Sequence, residues 1–331
     1  DVAELAGVSL GSASRVINNA DNVRPEMRER VREAIATLGY RPNHAAQSLR
    51  LRASRTVGCL LTDVANPLDA KLYRALEERL RPAGYMMLLA NSLNQAEREI
   101  EILSTFTGRG MDGLLIAPGN ERDREVLAAV RALPVPAVIH DRDMDTPTDS
   151  VLFDHTPGVK SVVQQLAGLG HRRIALVVSQ SPNRPIRRRI EGFRLGHKAA
   201  RLPLDEEFIV HLPSATSPAF ETVSTLLRRT DRPTALIVMG TNILNETLNA
   251  IGAQGLRIPQ DISIVSLGDP AFAANHTPPI SSLRVDLDQA AVLAADMLLA
   301  RMRGDDSPPH TVTLSGDFIE RESCGPAPKE R

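Results

Sequence analysis

The residues with the most chemical content stand near the front of the chain. In "SLGSASRVIN", residues 9–18, small polar side chains and one arginine share a short helical pattern, with Leu10, Gly11, Ser12, Ser14, Arg15 and Asn18 facing outward. An arginine so placed can bind guanine O6 and N7 together, worth about 1–3 kcal/mol of discrimination between bases, and serine hydroxyls suit phosphates. A second group, "RPNHAAQSLRLRASR", puts four arginines among fifteen residues around a pattern for two helical turns, too short to persist alone. Such a segment can order on docking and so act as a switch. A third group is the run Arg184, Arg187, Arg188 and Arg189. Catalysis finds no support: nucleophile elbow, phosphate-cradling glycine loop and metal-ligand spacing are all missing. His171 in "GLGHRR" reads as a helix terminus, where a cation suits the dipole. No enzyme activity, cofactor or metal is expected.

The elements that must position these groups are of two kinds. Residues 1–40 carry three helical patterns. Val2, Ala3, Leu5 and Ala6 form the apolar face of the first, which Gly7 breaks; Ser9 caps the second, with Ala13, Val16 and Ile17 inward; Pro25 opens the third, with Met27, Val31, Ile35 and Leu38 on one stripe and Gly39 as its stop. A helix, a glycine-containing turn and a second helix of small polar residues make a helix-turn-helix, whose second helix can enter the major groove. From Val57 the rhythm becomes strand and helix in alternation. Apolar runs such as "TVGCLLTD", "DGLLIAP", "RIALVVS" and "ISIVSLG" are separated by helical stretches near 70–83, 95–107, 121–132, 186–200, 217–229 and 243–254. The fold class is therefore α/β: an all-α helix-turn-helix headpiece (1–41), a hinge and linker (42–56), and a two-lobed core of doubly wound parallel sheets (57–331). The first lobe spans about 57–155 with a return near 285–310, the second about 156–284 with the C-terminal segment. Ligands of such sheets bind at the carboxyl ends of the strands, which makes a cleft between the lobes the expected site.

Charge distribution agrees. The net charge is only −1, yet residues 1–56 hold nine arginines against six acids, so the front end alone is basic. Two cysteines, Cys59 and Cys324, without paired spacing, suit a reducing cytosol. With no apolar run of eighteen residues and no signal-peptide zones, a cytoplasmic protein is expected.

"DVAELAGVS", "SRVIN", "VRPEMRERVREAIATLGYRPN" and "AAQSLR", followed by "RTVGCLLTDVANP", "GMDGLLIAP", "GLGHRRIALV", "EGFR", "RIPQDISIVSLGD", "TPPISSLRVD" and "ERESC", resemble in order and over nearly the whole chain the LacI/GalR family of transcription regulators. The resemblance implies a periplasmic-binding-protein-like core and a homodimeric repressor bound to a pseudo-palindromic double-stranded operator. It implies control by a small molecule, a sugar, sugar acid or phosphorylated sugar, held between the lobes, with no membrane partner. By position, Leu49 becomes the apolar wedge in the minor groove, Ala46 packs on its dimer mate, and Asn43, His44 and Arg50 contact the backbone; a wedge costs a few kcal/mol of unstacking, offset by the bend. A cytosolic sugar-binding sensor without operator binding is the alternative. The chain departs from the family pattern at Ser12-Ala13, at Arg24 where a capping serine is usual, and in the ligand-facing set.

That set, carried over by position, is Asn66, Leu68, Asp69, Asp141, Arg187, Thr241, Asn242 and Asp269, with Gly268 where a first acidic residue is usual. Loss of a carboxylate at 268 and the nearby arginine run lean towards an anionic ligand. Without a C-terminal leucine heptad, a dimer is expected and not a tetramer.

Overall fold

The computed structural model describes residues 1–17, 22–40, 53–214 and 216–329. The chain divides into two compact units, Asp1–Ser54 and Arg55–Arg331. The first holds three helices, α1 (Val2–Leu5), α2 (Leu10–Ile17) and α3 (Pro25–Leu38). Gly7 makes the turn at φ +62°, and the Ser9 hydroxyl accepts the Ser12 amide at 3.2 Å, capping α2. Pro25 opens α3, but Arg24 supplies no side-chain cap; Gly39 closes the helix in the left-handed region. Val2, Ala6, Val16, Val31 and Ala34 form the buried centre.

Two residues of the expected apolar stripes are instead exposed, Leu5 at 54 % and Leu38 at 46 %. A one-turn helix turns inward only its i and i+4 positions, Val2 and Ala6, and in α3 the inward row passes through Val31 and Ala34, leaving Leu38 at the helix end. Arg30 adds what the apolar pattern cannot show. Its Nε donates to the Ala6 carbonyl at 2.9 Å and its Nη2 to that of Gly7 at 2.8 Å, so α3 satisfies carbonyls left open at the turn.

The second unit contains β1 (Thr56–Leu61), β2 (Met86–Asn91), β3 (Gly113–Ile116), β4 (Ala137–His140), β5 (Asp149–Asp154), β6 (Ile174–Ser179), β7 (Ile209–Leu212), β8 (Ala235–Met239), β9 (Ser263–Leu267), β10 (Ser281–Val285) and β11 (Thr311–Ile319). Their order is β2-β1-β3-β4-β5-β11-β10-β9-β8-β6-β7. Read from either edge inward the order is the same, with a reversal at β1/β3 in one half and at β6/β8 in the other. Each half is a doubly wound parallel sheet. β11 joins them: residues 311–315 run parallel to β5 and residues 316–319 antiparallel to β10. β5, β7, β10 and β11 and the helix His155–Gly168 are elements beyond the sequence reading, whose strand runs covered the other seven strands.

Each half has its own core. In the second, Val159, Val163, Leu176, Phe193 and Ile237 are fully buried in one cluster. In the first, Val57, Leu72 and Leu80 pack with Ala290, Ala294 and Leu298 of the helix Leu287–Met302, so this late segment belongs to the first lobe. Helix Arg184–Ala200 lies tightly on helix His155–Gly168 because Gly192 and Gly196 have no side chain at the contact: a Cβ at 192 would come within 2.5 Å of the Thr156 carbonyl oxygen, and one at 196 within 2.5 Å of the Val163 Cβ. This approach fixes where the arginines of helix 184–200 emerge. Gly192→Ala, which meets backbone, should destabilise the core by about 1–3 kcal/mol in chemical denaturation, and unchanged stability would show that the two helices separate freely.

Candidate functional site

Where the two sheets present their carboxyl ends, loops from both lobes enclose a cavity of about 110 Å³. Thr62 follows β1, Ala117 follows β3, His140 ends β4, Phe153 lies near the end of β5, and Ser179, Met239 and Leu267 end β6, β8 and β9. This is the crevice that the strand order dictates.

At its rim and floor lies a network centred on Asp141. Asp141 follows β4 in the left-handed region, φ +50°, held there by its amide bond to the Val151 carbonyl at 2.8 Å. Its buried carboxylate accepts from the Phe153 amide at 3.1 Å, from His155 Nε2 at 2.8 Å and from Arg184 Nη1 at 3.0 Å. Burial works to raise its pKa, but His155 and the neighbouring cations hold it well below the usual carboxylate range. Arg184 also pairs with Asp143 at 2.9 Å. Arg187 joins Asp143 at 2.9 Å and the buried Glu121. Arg184 and Arg187 come from the second lobe and their acidic partners from the first, so these pairs bind one lobe to the other. On another path across the cleft, the Thr216 hydroxyl donates to Asp63 at 3.0 Å.

Of the ligand-facing residues expected from the sequence, Asn66, Leu68, Asp69, Asp141 and Thr241 line the cavity. Asn66 and Thr241 also cap the helices that follow them. Leu68 occupies the space a side chain at 268 would take: a Cβ on Gly268 would stand 2.6 Å from the Leu68 Cδ1. Three residues are placed elsewhere. Arg187 is engaged by Glu121 and Asp143, outside the cavity lining. Asn242 opens its helix on the exposed surface. Asp269 is gripped by both terminal nitrogens of Arg321, at 2.7 and 2.9 Å, which draws it away from the cavity.

Arg142, Arg189, His140 and Asn94 line the cavity and lie outside the sequence-derived set. Arg189 stood in the quoted arginine run, and the helical period could have separated it from Arg187: two residues apart on a helix means different faces. Burial, with Arg142 nearby, lowers the Arg189 pKa to about 10. His140 is driven down to about 4 by burial and stays neutral, and its Nδ1 has no hydrogen-bond partner among the described residues.

In the first unit, Leu10 is 79 % exposed, and Gly11 and Arg15 face solvent. Ser12 and Ser14 are half-buried where full exposure was expected; the Ser12 hydroxyl lies 2.9 Å from that of Ser9, tied into the helix cap. Arg15 reaches the Asn22 carbonyl only at 3.4 Å, a weak hold that leaves it available. Asn18, Asn43, His44, Ala46, Leu49 and Arg50 lie outside the described residues. Among the described residues no helix is long and apolar enough to cross a membrane.

A three-helix unit of helix-turn-helix form, in one chain with a core whose paired sheets enclose a cavity, defines a ligand-responsive DNA-binding regulator. The chain belongs to the LacI family of bacterial regulatory proteins. Residues 1–43 match the family model for bacterial regulatory proteins of the lacI family, and residues 163–324 that of a periplasmic binding protein-like domain. The ribose operon repressor of Escherichia coli (strain K12) is 30 % identical over 327 residues, covering 98 % of both chains. Among solved structures, the lac repressor dimer bound to operator and the anti-inducer ONPF superposes with a TM-score of 0.83 at 27 % identity, covering 98 % of both chains. The transcriptional regulator CelR–cellobiose complex gives 0.74 at 27 %, covering 97 % of this chain and 98 % of that one. The chain is a transcription regulator and not an enzyme.

Asp69 provides a test of the cavity's interior. Burial raises its pKa to about 6, against the pull of Arg142 and the Thr62 and Asn66 hydrogen bonds. A carboxyl that binds its proton more tightly folded than unfolded opposes folding when ionised, so this cost is present above pH 6 and fades as pH falls towards 4. Asp69→Asn should therefore raise Tm at pH 7.5 by several °C, on the order of 2–4 °C per kcal/mol relieved. The gain should disappear near pH 4; a gain independent of pH would mean the carboxyl is not desolvated.

Proposed function

We propose that the protein represses transcription by binding a pseudo-palindromic operator as a homodimer, and that a small molecule of the sugar class, bound between the core lobes, controls that binding. The observation that carries this reading is the presence, in one chain, of an outward-facing Leu10-Gly11-Arg15 surface on the second helix of a helix-turn-helix and a polar cavity built from both lobes. Two similar proteins support it: one solved with operator, the other with cellobiose. In this reading Arg15 reads a base edge, Ser12 and Ser14 approach phosphates, Asn18 belongs to the DNA-facing set of the recognition helix, Leu49 is the minor-groove wedge beside Ala46, and Asn43, His44 and Arg50 hold the backbone. Asn66, Leu68, Asp69, Asp141 and Thr241 face the effector, and Arg189 takes the role expected of Arg187. The protein acts in the cytoplasm, at the nucleoid when on its operator.

The switch follows from the cleft. A ligand that favours one inter-lobe angle shifts the balance of two core states, and coupling of about 1–3 kcal/mol, equal in both directions, changes operator affinity by 5- to 150-fold. Gel shifts with the DNA upstream of its own coding sequence should show specific binding that weakens steeply with salt, because the basic headpiece displaces counterions. Arg15→Ala should cost about 1–3 kcal/mol at the specific site and little on random DNA, and Leu49→Ala should reduce both affinity and bending. Ligand binding without a shift of any promoter fragment would leave the sensor reading; equal bending by Leu49→Ala would remove the wedge.

A further inference from the structure

The cleft holds two guanidinium groups that no carboxylate among the described residues bonds directly. Arg142, from the loop after β4 in the first lobe, and Arg189, from helix 184–200 in the second, both line the cavity. Arg142 spends its Nε and Nη1 on the backbone carbonyls of Pro118 and Asp141, so no carboxylate holds it. Arg189 makes no hydrogen bond or ion pair with any described residue. The nearby acids are otherwise committed: Asp141 to His155 and Arg184, Asp143 to Arg184 and Arg187, Glu121 to Arg187. The fourth, Asp69, is ionised at neutral pH and attracts Arg142 from nearby, but its hydrogen bonds go to Thr62 and Asn66 and to neither guanidinium. His140 and His155 are both driven towards the neutral form by burial, so they add no balancing charge. Two guanidinium groups thus face one small space from opposite lobes; at Arg189, burial and Arg142 disfavour the charge while Asp141 favours it. A desolvated, unpaired cation is costly unless a counter-charge arrives.

Resting on the reading of this cavity as the effector site, we propose that the effector is an anion, a sugar acid or sugar phosphate, whose charged group is held jointly by Arg142 and Arg189, and that this shared counter-charge is what draws the lobes together. Planar guanidinium groups match a carboxylate or phosphate with paired N–H donors. The rest of the lining suits the hydroxyls of a polyol: Asn66, Asn94, Ser181 and Thr241 contribute polar side chains to it. Without the anion the two cations repel across the cleft; with it the same pair attracts from both sides. The charge of the ligand is in this way the signal, and its polyol part the specificity.

The full-length protein should be titrated, by calorimetry and thermal shift, with D-gluconate, D-galactonate and D-galacturonate, with glucose and galactose, and with glucose 6-phosphate. At least one anion should bind with saturation and at least 30-fold more tightly than its neutral counterpart, the carboxylate and phosphate arms deciding which anionic group fits. Arg189→Met and Arg142→Met should each weaken that ligand by 30-fold or more, and Arg189→Lys should recover part of the loss. Arg189→Met should not lower the Tm of the ligand-free protein, since this half-buried guanidinium bonds no described residue; a protein-internal role for Arg189 would lower it. Equal or tighter binding of a neutral sugar, anion binding that survives Arg189→Met, or no response to either class of anion would overturn the proposal. Operator gel shifts on the same samples separate the two readings: a protein that shifts DNA but prefers neutral sugars keeps the regulator reading and loses this one, and a protein that binds an aldonate but no DNA does the reverse.

Discussion

The cleft depends on one buried carboxylate. Asp141 takes hydrogen bonds from the β5 backbone, from His155 at the start of helix 155–168 and from Arg184 at the start of helix 184–200. The four segments it joins include both lobes and the point where the chain passes between them. In a low-dielectric site such a group is worth its desolvation only if every acceptor position is used, and here the available donors converge on it. Its left-handed backbone is the local cost, stabilised by the surrounding bonds.

Around that anchor the charges divide into two sets. Arg184 and Arg187 complete ion pairs that bridge the two lobes at the rim. Arg142 and Arg189 line the cavity and share no hydrogen bond with a carboxylate among the described residues.

The reading head is built with little margin. Among the described residues its buried cluster is formed by small side chains, Val2, Ala6, Val16, Val31 and Ala34, with Val8, Val23, Met27 and Ile35 packed against it, a small core for a unit of this size. Polar bonds compensate: the Ser9 cap on α2 and the Arg30 clasp on the turn carbonyls hold the second helix at its angle while leaving Leu10, Gly11 and Arg15 outward.

Much of this was legible in the chain. The three helices, with their glycine stops and proline start, and the seven strongly apolar strands follow from local chemistry, because a glycine stop, a proline start and a run of branched apolar residues each act within a few neighbours. β11 was not legible, since its two halves take partners in different lobes and its alternation of half-buried residues matches a solvent-facing segment equally well. Nor was β5, whose six residues begin and end in aspartate. The ligand-facing set was legible only in part: family position found Asp141 and Asp69, but could not tell that Asp269 is spoken for by Arg321, fifty-two residues on. Nor could it tell which member of an arginine run faces the cavity and which crosses to Glu121. By itself, then, the sequence determined the class of fold, the order of its parts and the chemistry available to each. Only the tertiary structure decided which charges are already answered, because the partner of a buried ion is chosen by the packing of distant segments and not by its neighbours in the chain.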